Sequence, residues 1–76
     1  MSATTDLFWI KEAMDAVVDL AVEQFPNDPA VALLFPEVEQ VTELAIQGAP
    51  DGMVTTAFEE FLSVARELGV ESELLA

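Results

Sequence analysis

The sequence predicts an all-α protein: a small bundle of three long helices, at about 5–25, 36–47 and 53–68, with one short helix at 29–35 and no sheet. Three observations carry this. Apolar residues recur at helical spacing through each long segment. Proline and glycine fall between those segments rather than inside them. No stretch alternates with period two over a useful length, so no strand is expected. At 76 residues the chain is a single domain, 1–76, at the small end of what folds alone. An apolar fraction of 53% is too rich for a disordered segment.

The first helix is expected to start near Thr4 to Asp6, where a side-chain oxygen can cap exposed amides, and to run to Phe25. "PNDP", Pro26 to Pro29, is a turn: proline presets φ, and Asn27 and Asp28 can bond back to the chain. Asp28 then caps the short helix, with Pro29 at its first position. Phe35 precedes a proline and is disfavoured in the α region, so the short helix should stop there. Pro36 opens the next long helix, which places Glu37 and Glu39 near the positive end of its dipole. Gly48 is a left-handed stop, and "APDG" is a turn. The last long helix runs from about Met53 to Leu68, with Gly69 as its stop. Thr56 and Glu59, in capping-box spacing, offer an alternative start. The tail "VESELLA" adds a frayed turn.

The last helix has an ordinary amphipathic pattern. Val54, Ala57, Phe58, Phe61 and Ala65 share one half of the cylinder with Met53, Leu62 and Leu68, and the polar residues take the other. The helix before it has a narrower stripe of Val38, Val41, Leu44 and Ala45, with Ile46 off the stripe. The first helix differs. Its charged residues (Lys11, Glu12, Asp15, Asp19, Glu23) occupy roughly a third of its circumference, and nearly all the rest is apolar. Leu7, Met14, Val18 and Phe25 form one flank; Trp9, Ala16 and Leu20 form the other; Ile10, Ala13, Val17 and Ala21 lie between. Either this helix is central and covered on both flanks, or the Trp9 flank is partly exposed as an interface. Phe8 and Val22 project into the charged arc and favour the interface. The candidate apolar interface is Phe8, Trp9, Ala16 and Leu20.

Fifteen Asp and Glu stand against Lys11 and Arg66, a formal charge of −13. That charge argues against direct binding of nucleic acid or an anionic membrane, which need Lys or Arg to neutralise phosphates. It points to a protein partner with a basic surface, or to solubility or a high-salt habitat as its whole purpose. Charges interrupt the apolar stretch of the first helix, which excludes a transmembrane span. "MSATTD" lacks a basic targeting region, so a cytoplasmic protein is expected. Asp15, Asp19 and Glu23, and likewise Glu39 and Glu43, repeat every four residues. These rows are the candidate partner-binding residues.

No catalytic set accompanies them. Nucleophilic triads need a base beside Ser, Thr or Cys, and the chain has neither His nor Cys. The i,i+4 carboxylate pairs are unavoidable at this composition and read as solvated faces rather than metal or acid–base sites. No metal, cofactor or enzymatic activity is expected. Acyl-carrier proteins are similar in size and charge, but their attachment serine sits in an Asp-Ser-Leu motif, and Ser2, Ser63 and Ser72 have no such context. Phage-encoded inhibitors of host defence and nucleic-acid mimics share the profile of small size, strong acidity and no catalytic set; the likeness is one of type, carried by no motif. The expected function is a small acidic inhibitor or adaptor that docks on a basic, nucleic-acid-binding kind of surface. The alternative is a structural or accessory protein that forms a homodimer through the apolar face of the first helix.

Overall fold

The computed structural model describes the backbone of residues 3–75 and the side chains of residues 8–75. Three helices form the fold: α1 (Ala3–Gln24), α2 (Leu34–Ile46) and α3 (Asp51–Leu68), with short 3-10 turns at Pro29–Leu33 and Glu73–Leu75. No strand occurs among the described residues. α2 and α3 form a tight hairpin, and α1 lies across it with fewer contacts. Trp9 meets Phe58 near one end, and the Phe25 ring lies by Gly69 at the other, so α1 and α3 run the same way and α2 runs back between their ends.

The boundaries depart from the expected ones where proline acts within a first turn. The short helix is a 3-10 turn, not an α-helix, and it does not stop at Phe35: it passes at Leu34 directly into α2. Phe35 is helical although Pro36 follows. Pro36 is the third residue of α2, where the amide it lacks has no intrahelical partner to lose. Asp28 caps the turn as expected, accepting from the Ala30 amide at 2.9 Å. α3 begins at Asp51 rather than Met53, because the Pro50 carbonyl accepts from the amides of Met53 (2.9 Å) and Val54 (3.3 Å). The capping box at Thr56 does not form; its hydroxyl donates back to the Gly52 carbonyl at 2.8 Å. α1 starts at Ala3 and ends at Gln24. The cap sought at Thr4 to Asp6 and the flank position of Leu7 fall on side chains outside the described residues, as does Ser2.

Both glycine stops hold. Gly48 (φ 74) and Gly69 (φ 97) take positive φ, where a side chain is strained. The residue after each returns an amide to the last turn, Ala49 to Leu44 at 2.9 Å and Val70 to Ala65 at 3.2 Å, in the Schellman pattern.

The core is apolar throughout, with no buried polar or charged residue among those described. α1 supplies Ala13, Met14, Val17 and Ala21; Val31, Leu34 and Val41 lie opposite; α3 contributes Phe58, Phe61 and Ala65. The stripes expected on α2 and α3 face inward except at Met53, which is exposed, and Ile46 lies outside as its off-stripe position implied. Gln24 ties the tail to α1: its amide nitrogen donates to the Glu71 carbonyl at 3.1 Å and its amide oxygen accepts from the Glu71 amide at 2.9 Å. The molecule measures 36 × 21 × 15 Å.

Candidate partner-binding site

The acidic rows lie on the exposed faces of their helices, since the opposite faces carry the core. Asp15, Asp19 and Glu23 are exposed on α1, and Glu39 and Glu43 on α2. Successive carboxylates in a row rise by about 6 Å along the helix. Lys11 approaches both carboxylate oxygens of Asp15, at 3.1 and 3.2 Å, the one ion pair among the described residues. Glu43 accepts from the Gln47 side chain at 3.2 Å. Asp19, Glu23 and Glu39 have no cation beside them among the described residues. Arg66 turns toward the Leu75 carbonyl instead, at 3.4 Å. No three carboxylates among the described residues converge as a cation cage would require. The helices therefore present rows of exposed negative charge.

The apolar interface residues divide between two sides of α1. Phe8, 66% exposed, lies over an open groove of about 300 Å³ between α1 and α2, together with Ile46, 77% exposed, and the Lys11 side chain. Trp9, 53% exposed, lies over a larger groove of about 690 Å³ between α1, α3 and the turn joining α2 to α3. Ile10 and Ala45 border both grooves, so the N-terminal half of α1 is the ridge between them. Ala16 is exposed and Leu20 half-buried, but neither lines a groove. Met14, Val18 and Phe25, on the opposite flank, are buried or half-buried. Apolar surface is thus left partly open on both sides of the N-terminal half of α1, with the larger groove on the side of Trp9.

The larger groove exists because its α2 side is built from Ala45, Gly48 and Ala49, which are too short to reach across to α1. Its floor is the outer surface of Val54, Phe58 and Leu62. The Trp9 ring stands edge-on to Phe58 with centroids 5.9 Å apart and planes at 72°, which fixes Trp9 as one wall. The charged residues that line this groove among those described, Asp51 and Glu59, are both acidic; Lys11 belongs to the other groove. Ile46 is exposed, while Val54 and Phe58 are buried and Leu62 is half-buried. Ile46 was detectable, because it lies off its helix's apolar stripe. The other three read as core positions, and they are core positions that α1 and α2 leave partly uncovered.

The arrangement is an apolar trough with two carboxylates at its rim and rows of negative charge beyond it. No helix among the described residues is long and apolar enough to cross a membrane. No protein-family model matches the chain, and neither a curated protein nor a solved structure matches it.

Proposed function

We propose that this chain is a non-catalytic protein-binding module, an inhibitor or adaptor that docks on a basic surface of a partner protein, of the phage anti-defence or nucleic-acid-mimic type. The observation that carries the reading is the juxtaposition of exposed Phe8, Trp9 and Ile46 with carboxylates that have almost no cation to neutralise them. Aromatic anchors within an electrostatically steered surface are the anatomy of a protein interface. The same charge repels nucleic acid and anionic lipid, so the partner is a protein, and the setting that goes with it is the cytoplasm. General electronegative docking fits better than close mimicry of DNA. Duplex DNA as long as the 36 Å axis carries about 21 charges. The −13 of this chain is spread over three helices, so any one face is sparser still.

The test is capture of partners from the native host on immobilised wild-type chain and on the triple variant Asp15→Lys, Asp19→Lys, Glu23→Lys. The reading expects a protein that salt elutes from the wild type and that the triple variant retains poorly. Capture insensitive to both salt and charge reversal would overturn it.

A second reading, a homodimer joined through α1, is favoured by one observation: Phe8 and Ile46 lie mostly exposed over the same groove. Sedimentation of the wild type and of Phe8→Ala with Ile46→Ala decides it, since the dimer requires self-association that the double variant loses.

A further inference from the structure

We infer that the groove between α1 and α3 is the seat of one kind of occupant: a cationic amphipathic helix of a partner protein, laid with its apolar face on Trp9, Phe58 and Leu62 and its Lys or Arg side chains toward Asp51 and Glu59. The inference rests on the binding-module reading and specifies its partner. Two features of the groove select this occupant. The first is charge: the charged residues lining it among those described are both acidic, in a chain of net charge −13. A second copy would bring another −13 and the same acidic rim to the same place, and a fatty carboxylate would meet that rim with like charge. The second is the backbone. The walls are helices and a closed Schellman turn, whose amides and carbonyls are largely engaged within their own elements. No strand edge exists among the described residues to pair with an extended segment. A segment that enters an apolar trough must satisfy its own backbone groups, and a helix does so internally. Apolar residues at i, i+3, i+4 and i+7 then face the trough, and cations on the flanking positions reach the rim.

Trp9 is the single tryptophan, so its emission reports on the groove directly. The probe is a synthetic peptide of Leu and Lys alone, about five helical turns long with one apolar face, titrated into the full chain at low salt. Beside it run a scrambled peptide of the same composition and a Leu/Glu peptide of the same pattern. The expected result is a saturable blue shift of Trp9 with the amphipathic cationic peptide and roughly tenfold weaker binding of the scrambled one. Asp51→Asn combined with Glu59→Lys should weaken the peptide by about tenfold, whereas Asp19→Lys with Glu23→Lys, outside the groove, should change it much less. Glu59→Lys alone leaves the start of α3 untouched and should show the same effect in part, which guards against a folding defect in the double variant. Equal binding of the ordered and scrambled peptides with Trp9 unmoved would overturn the groove while leaving electronegative docking standing. Binding of neither cationic peptide, or a preference for the Leu/Glu peptide, would overturn both. A blue shift that instead follows protein concentration without peptide would give the groove to a second copy and overturn the inference.

Discussion

The Trp9 and Phe58 rings meet in a T-shaped contact, 5.9 Å between centroids and 72° between planes, which joins the N-terminal half of α1 to α3. Phe58 in turn stacks on the fully buried Phe61, with planes 10° apart and centroids 6.3 Å apart, so Trp9 is the outer member of an aromatic row that ends in the core. Phe58→Ala should shift Trp9 emission to the red and cost about 3–5 kcal/mol. Trp9→Ala should cost less, about 1–2 kcal/mol, because half of the indole is already in water. Equal losses for the two variants by denaturant unfolding would contradict this ordering.

Gln24 holds Glu71 with both ends of its amide. Gln24→Ala should remove about 1–2 kcal/mol, since both bonds are partly exposed. Its sharper signature is local: the Glu71 amide should lose hydrogen-exchange protection, while amides inside α3 keep theirs. Unchanged exchange at Glu71 would mean that buried Val70 alone anchors the tail.

Gly48 and Gly69 both need positive φ, but their surroundings differ. A Cβ at Gly48 meets nothing within 4 Å, whereas one at Gly69 meets the Phe25 ring at 3.5 Å, an ordinary contact. Alanine at either position should therefore cost about 1–2 kcal/mol through backbone strain alone, with the two values close. A Gly69→Ala loss several times that of Gly48→Ala would show that Phe25 cannot accept even an ordinary contact.

Self-repulsion among fifteen acids opposed by two bases makes the folded chain sensitive to ionic strength. The melting temperature should rise as sodium chloride is added, because the Debye length shrinks from about 10 Å at 0.1 M to about 3 Å at 1 M and damps repulsion between acids on different helices and along each row. Lys11→Ala should steepen the rise, since it frees Asp15 at the head of the α1 row. A melting temperature flat across the series would show that the acids are too well solvated to matter.

The helices, their order, the glycine stops and the inward face of α3 were determined by the sequence alone. Each rests on a local rule: helical periodicity, proline at a first turn, or a residue free to take positive φ. The short helix and the starts of α2 and α3 were misread for a reason equally local. Proline disfavours but does not forbid a helical Phe35, and Pro36 in a first turn loses no hydrogen bond; in "APDG" only Ala49 and Pro50 stay outside α3, which takes in Asp51 and Gly52. The sequence also contained the excess apolar surface of α1, but not which side would be left more open. That was decided by the tertiary structure. Ala45 near the end of α2 and Gly48 and Ala49 in the turn that follows are too small to fill the space beside α1, so Trp9 stands over an open trough, and Met14, on the other flank, is buried. Amphipathicity is a property of one helix; the groove depends on side-chain lengths across three elements distant in the chain.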